Sequence, residues 1–468
     1  MIPFLPHQIS LKGIGLYLAT LVAVTLLFFR YLMPLEYTVM GVVWVTVFFG
    51  LTAWTSRKWY NLSAKHFVGL LFGAALLIRV AWILFSYYFY QAKTGLPFEF
   101  EAADSLEYHG DAAWLATTSW RFTWDYLVTS RTSLSDSGYL FYLSTLYRVV
   151  GPGILATRLV KAFLGAATCW LLYRLAARTM GETTGRMTGL MACFMPNLII
   201  YCGMHLKETE MLFLAVAFLE RADALLRSRH YTVLSISIPL LLGIALFTFR
   251  TVLGATALFA FVSAVLFSSD EILKRRKRLV MTGWIAVTLL LLAGGTIATE
   301  TEGYWNGRNM NQAVKREQQT LRGNQWAQYA TGTVMAPMMF VLPFPTMIDV
   351  EEQYNQNILH GGNFVRNLLG GFVALALFSA FFVRKDWRNK ILVGSFMLAY
   401  LTIISMSGFA NSERFLLPGL PLLLLFAADG VAGLNEKNYR FIRIWYWIVP
   451  VMAVAWAFFK VGSRGLLG

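Results

Sequence analysis

Residues 103–114 read ADSLEYHGDAAW and crowd Asp104, Glu107, His109 and Asp111 into eight positions, directly after a long apolar stretch. A carboxylate presented there can take a proton from a hydroxyl brought within hydrogen-bond reach. On a helix starting near Asp104, Tyr108 and Ala112 follow at i+4 and i+8, so Asp104 and Tyr108 share a face, with Asp111 near it. Spacing leaves a second reading open, in which Asp104 caps the helix and Glu107, three residues on, completes a capping box. His109 has no second His or Cys at ligand spacing, so it reads as a polar loop residue rather than a metal ligand. Tyr108, His109 and the later loop acid Asp136 are candidates for contacting an acceptor.

A second constellation lies in PNLIIYCGMHLKETEMLFL, residues 196–214, where His205, Lys207, Glu208 and Glu210 fall between two apolar runs. A Lys or Glu costs about 2.5–3.5 kcal/mol if unpaired near a bilayer centre, and less at its surface. Glu208 is a second candidate acid and Lys207 a candidate cation, with His205 beside them. The bland alternative is a local pair, Lys207 with Glu208 or Glu210, closing a tight turn. Further cations converge on the same side of the chain: Arg158 and Lys161 begin one apolar run, Arg250 stands in FTFRTVL, Arg366 begins another run, and Arg414 sits in NSERFLLPGLPLLLLFAADG. Several cations at one mouth suit a bound phosphate or pyrophosphate, which Arg grips bidentately. In VLPFPTMIDVEEQYNQNILHGGN, Asp349, Glu351, Glu352 and His360 could bind a polar acceptor or simply be solvated. Carboxylates beside a phosphate would suit Mg²⁺ or Mn²⁺, although no spacing demands either.

The elements that must position these residues are membrane helices. The chain has 468 residues, 57% of them hydrophobic and only 14% charged. Its apolar runs approach the ~20 residues that cross a ~30 Å hydrocarbon core, and they do not alternate as barrel strands would. Thirteen spans are expected, at about 11–29, 37–55, 67–89, 156–177, 187–204, 209–226, 231–248, 251–268, 280–297, 363–383, 391–407, 413–431 and 444–459. The first of these reads as a true span rather than a cleavable signal.

The formal charge of +15 would suggest nucleic acid in a soluble protein. Here the clusters RSRH (227–230), KRRKR (274–278), RKDWRNK (384–390) and NEKNYRFIR (435–443) fall in alternate short loops. That is the positive-inside pattern, and it places the N-terminus in the cytoplasm and excludes nucleic acid as the partner. Two long loops, about 90–155 and 298–362, then lie outside. Each carries an apolar stretch too short to cross, 139–150 and 333–345, expected on the membrane surface or dipping into it. The expected organisation is two helices in 1–66, a module in 67–297, a loop in 298–362 and further helices in 363–468. Cys169, Cys193 and Cys202 lie in or beside apolar runs and read as packing residues.

The order of these features resembles the GT-C superfamily of membrane glycosyltransferases, which use polyprenyl-phosphate sugars and include protein O-mannosyltransferases and aminoarabinose transferases. DSLEYHGDA looks like their first extracytoplasmic loop. The runs SDSGYLFYLSTLYRVVGPGILATRLVKAFLGAATCWLLYRLA and GETTGRMTGLMACFMPNLIIYCGMHLKETEMLFL are similar to the helices that follow it, and NSERFLLPGLPLLLLFAADG resembles a late span. The resemblance covers about residues 67–430 and rests on short motifs. It implies an inverting transfer at the outer face of a bacterial inner membrane, in cell-envelope or polysaccharide assembly. Asp104 would deprotonate a hydroxyl of a glycan, lipid or protein acceptor. Lys207, Arg250 or Arg414 would steady the departing undecaprenyl-type phosphate. Where many members carry Asp-Glu, this chain has Asp104 followed by Ser105, which keeps Glu107 and Asp111 in contention as the base. Glu208 stands where Asp is commoner. A lipid-linked glycan polymerase or ligase would share the cations. A transporter or flippase for an anionic lipid would need ionisable residues at mid-membrane and broken helices or repeats.

Overall fold

A computed structural model of the chain describes residues 4–130, 135–274, 277–279, 281–283, 338–349, 354–405 and 412–463. The regular structure in these residues is entirely helical. The helices are α1 His7–Leu27, α2 Leu35–Lys58, α3 Ala64–Thr94, α4 Ala103–Thr117, α5 Trp120–Asp125, α6 Ser137–Val150, α7 Ile154–Met180, α8 Glu182–Phe194, α9 Pro196–Ile200 and α10 Glu208–Arg227. There follow α11 Val233–Phe249, α12 Thr251–Phe267, α13 Tyr354–Val383, α14 Ile391–Ser405, α15 Glu413–Ala432 and α16 Glu436–Ser463.

Seven of them, α1, α2, α3, α7, α13, α15 and α16, are long and apolar enough to cross a membrane. The protein is therefore a helical membrane protein. Three shorter apolar helices, α11, α12 and α14, lie where further spans were expected but are below the length of the seven. The 209–226 run is α10, which carries Glu208, Glu210, Glu220 and Asp223 among its buried residues. Most of the expected 280–297 span and of the 298–362 loop lies outside the described residues.

Two helices act as hubs. α7 packs on α3, α8 and α10, and α13 packs on α2, α15 and α16. Joining the two groups is α15, which packs on α8 and α13. It is 94% buried, so its apolar surface faces protein rather than lipid.

The expected 187–204 span is broken. Met195 is extended and Pro196 starts the five-residue α9, because proline cannot donate to the carbonyl one turn back. The carbonyls so freed at the end of α8 need donors in a dry interior. Arg79, in the middle of the apolar α3, supplies them: Nη2 donates to Ala192 O at 3.2 Å and Nη1 to Cys193 O at 3.4 Å. Gly165 leaves the space, since a Cβ there would lie 2.6 Å from Arg79 Nε. The three cysteines are buried and free, and Cys169 Sγ accepts from the same guanidinium at 3.4 Å.

Between α3 and α7 the chain forms α4, α5 and α6, which define one end of the bundle, here the loop end. The 139–150 stretch, expected at the membrane surface, falls within the helix α6. α6 buries Tyr139, Leu143 and Tyr147, spaced by four, along with Leu140 and Ser144, and leaves Phe141, Val149 and Val150 exposed. That is one apolar face with a helical period. The second short stretch, 333–345, is not a surface helix where it is described. Residues 341–348 are non-helical and mostly buried beside α13, where Asn367 Nδ2 donates to Val341 O and, at 3.0 Å, to Pro343 O. Irregular backbone survives inside a membrane protein only when such partners meet its polar groups.

Candidate functional site

α4 begins at Ala103 and buries Ser105, Tyr108, Ala112 and Leu115 along one face. Asp104 lies in its first turn and caps nothing; the residue before the helix is Ala102, without a side-chain cap. The capping reading therefore gives way. The Asp104 carboxylate, 49% exposed, contacts the Arg414 guanidinium at the start of α15. Through its Nε the same guanidinium contacts Glu208 Oε1, which is fully buried at the start of α10. Arg414 thus bridges the two candidate acids, one facing outward and one enclosed.

Lys207 sits in the turn that leads into α10 and pairs with neither Glu208 nor Glu210. Its ammonium contacts Asp136 and donates to Phe249 O at 3.2 Å. Asp136 has a left-handed backbone, φ 76°, a conformation Asp tolerates better than most residues. Burial and neighbouring Arg250 push the Lys207 pKa down to about 7, against the pull of Glu208 and Asp104. The Asp136 carboxylate adds to that pull. Arg250, the residue between α11 and α12, packs its guanidinium on the Phe415 ring 4.4 Å away. It forms no ion pair among the described residues, and its buried Nη1 has no hydrogen-bond partner.

The turn 201–207 has no regular structure beyond one 3₁₀ turn, and side chains from three other elements hold it. Lys161 Nζ donates to Met204 O at 3.2 Å and to Leu206 O, and lies 3.5 Å from Glu210. Tyr139 Oη donates to His205 O at 3.3 Å. The backbone N–H of His205 donates to Glu99 Oε2 at 3.0 Å. Tyr147 Oη is shared between His205 Nε2 at 3.1 Å and His109 Nδ1 at 2.7 Å. Burial, with Lys161 and Arg158 alongside, drives the His205 pKa well below its ordinary value, and burial also lowers His109. Both imidazoles are neutral near pH 7.

The structure thus brings Asp104, Tyr108, Asp136, Lys207, Glu208, Arg250 and Arg414 together. Tyr108 takes part through its ring, 5.8 Å from Lys207 Nζ. His109, His205, Arg158 and Lys161 form an adjoining buried layer. Asp111 makes no hydrogen bond or ion pair among the described residues, and Glu107 is exposed.

Two expectations are corrected. His360 does not lie in a loop; α13 starts at Tyr354 and buries it, with its ring nitrogens engaged by Tyr17 Oη at 2.7 Å and Asn357 O at 2.6 Å. It is not placed to contact an acceptor. Arg366 does not begin a span either, because it lies twelve residues inside α13 and is buried. Glu351 and Glu352 lie outside the described residues, and Asp349 accepts from Asn357 Nδ2 at 3.2 Å.

Among the described residues no three His, Cys, Asp or Glu side chains are grouped to share a metal ion. Asp104 and Glu208 both contact Arg414, which occupies the place between them that a cation would need. Sequence reasoning passed over Glu99, Tyr147 and Arg79. For Arg79 the available signal was a lone guanidinium inside an apolar run; Glu99 showed only as one carboxylate of an acidic loop, and Tyr147 gave no signal, because its partners His109 and His205 are distant in sequence.

No family model matches the chain, and no curated protein matches it.

Proposed function

We propose that the protein is a membrane glycosyltransferase that moves a sugar from a polyprenyl-phosphate donor to an acceptor hydroxyl at the loop end of the bundle, taken as the extracytoplasmic face. The observation that carries this reading is the Asp104–Arg414–Glu208 bridge beside Lys207 and the unpaired Arg250. A half-exposed carboxylate faces outward, and cations lie next to it where a phosphate would need them. The GT-C-like order of loop and helices supports the same reading.

In this mechanism Asp104 accepts the hydroxyl proton while the acceptor oxygen bonds to the sugar's anomeric carbon. The bond from that carbon to the phosphate oxygen breaks, and its electron pair leaves with the polyprenyl phosphate. The extra negative charge on the leaving phosphate is stabilised by Arg250, Lys207 and Arg414. Direct displacement inverts the anomeric configuration. Glu208 holds Arg414 from beneath, which lets the guanidinium turn toward the phosphate without leaving a carboxylate unpaired in the interior.

The test is transfer of radiolabelled sugar from synthetic polyprenyl phosphates by the purified protein in lipid, with Asp104→Asn beside wild type. Asn keeps the shape and cannot act as a base, so transfer should disappear while donor binding persists. Undiminished transfer by Asp104→Asn would remove Asp104 from the mechanism.

One observation favours transport of an anionic lipid as a second reading. Arg79 is buried in the middle of α3, and the α8–α9 helix is broken at Pro196. Charge is therefore not confined to the mouth, and intramembrane ionisable residues beside discontinuous helices are features of transporters. Movement of a fluorescent anionic lipid between leaflets of reconstituted vesicles, with no sugar transfer, would favour it.

A further inference from the structure

A carboxylate outside the proposed reaction ties the whole site together. Glu99 lies between α3 and α4 and is almost wholly buried. Ser105 Oγ, in the first turn of α4, donates to its Oε1. Its other oxygen, Oε2, accepts from the backbone N–H of His205 at 3.0 Å and lies 3.6 Å from Arg158 Nη2. The residue before Ser105 is Asp104, and two residues after His205 comes Lys207. One side chain therefore sets the distance between the helix that carries the acid and the turn that carries the cation.

The geometry points to Glu99 as the positioning residue of the site: it fixes α4 against the 204–208 turn, so that Asp104 and Glu208 both reach Arg414. This inference rests on the transferase reading for its catalytic consequence, and on the contacts alone for its structural one.

Three physical arguments carry it. A buried carboxylate is tolerated only when it is paired and hydrogen-bonded, and Glu99 has a cation and two donors. Arg158, fully buried, has no hydrogen-bond partner for any of its three nitrogens. Its charge is thus left to Glu99, which cannot be neutralised without leaving that cation uncompensated. A second tie runs parallel, from His109 on α4 through Tyr147 to His205, so α4 is fixed at two places along its length and cannot pivot about one. Catalytic groups must be held to within a fraction of an ångström, and these polar ties add to the packing of α4's buried face on α6.

The experiment has two arms in lipid nanodiscs, on wild type, Glu99→Gln and Ser105→Ala. In the first, hydrogen–deuterium exchange is followed over α4 and the 201–207 turn. Glu99→Gln should speed exchange there by about tenfold or more, as loss of a charged hydrogen bond implies, with the α13 and α15 amides unchanged. In the second arm, sugar transfer should show a fall in kcat of about tenfold with the donor KM unchanged. Glu99→Gln should cause no further fall in an Asp104→Asn background, whereas a residue that merely supports the fold would add its effect. Ser105→Ala removes only the α4 tie and leaves the buried charge in place, so it decides the matter if Glu99→Gln fails to fold. Unchanged exchange over α4 in both variants would overturn the proposal, as would additive losses. Absence of any transfer by wild type would overturn the transferase reading alone, with the exchange arm still deciding the role of Glu99.

Discussion

The two ends of the helical bundle treat buried charge differently. At the end opposite the loop helices, Glu220 is surrounded by Arg174, Arg178 and Arg221, Asp223 by Arg178 and Arg227, and Asp429 by Arg384 and Lys390, all within 3.2 Å. These pairs also tie helices together, as when Arg227 donates to Asn389 O at 3.2 Å. At the loop end more hydrogen-bonding capacity is left over: Arg158, both oxygens of Glu210, Glu208 Oε2, His205 Nδ1 and Arg250 Nη1 lack hydrogen-bond partners, against Glu220 Oε2, Asp386 Oδ1 and Arg278 Nε at the opposite end. Buried polar groups are normally satisfied, and the exceptions need an explanation. One end has used its charge to join helices, and the other leaves Arg250 without an ion pair among the described residues. A count of Lys and Arg per loop could not separate the two.

The comparison breaks most sharply if Asp104→Asn leaves transfer intact. The expected fall in turnover is about a hundredfold to ten-thousandfold, with the melting temperature nearly unchanged because the carboxylate is half exposed. Asp429→Asn should do the converse. It removes the shared partner of Arg384 and the buried Lys390, so stability should drop by about 3–5 kcal/mol, read as an early thermal transition, while each folded molecule keeps its turnover.

Arg250→Met is expected to weaken donor phosphate binding by about tenfold in an equilibrium titration, through loss of a charge-assisted contact. It should cost little stability, since the guanidinium has no ion pair to lose. A melting temperature that fell as far as that of Asp429→Asn would place Arg250 with the structural charges.

A further effect concerns pH. Lys207 faces Asp136, Glu208, Asp104, Arg250 and Arg414, and its pKa is pushed down from 10.5 to about 7. Between those values the unfolded chain binds a proton that the folded protein has lost, so stability rises with pH across this window. Affinity for a phosphate falls over the same window, because the ammonium is disappearing. Lys207→Arg should flatten both profiles, and Asp136→Asn should move both to lower pH. A wild-type phosphate affinity that stayed level from pH 7 to 10 would show Lys207 to be held charged by Asp136 throughout.

Hydropathy alone determined that this chain is a bundle of membrane helices, and the positions of most of them, because apolar content over ~20 residues is a local sum that no distant residue alters. The sequence also marked a helix starting near Asp104 through its spacing, and a separate apolar stretch at 139–150 too short to cross. It could not place His360 or Arg366, since polar residues at the start of α13 read as loop when the distant partner of His360, Tyr17, is not in view. Nor did it show that Pro196 breaks a helix whose freed carbonyls are met by Arg79. The grouping of these side chains is visible only in the tertiary structure: Asp104 meets Arg414 across 310 positions and Glu208 meets the same guanidinium across 206. Ion pairs form at short range in space, and packing decides which residues arrive there.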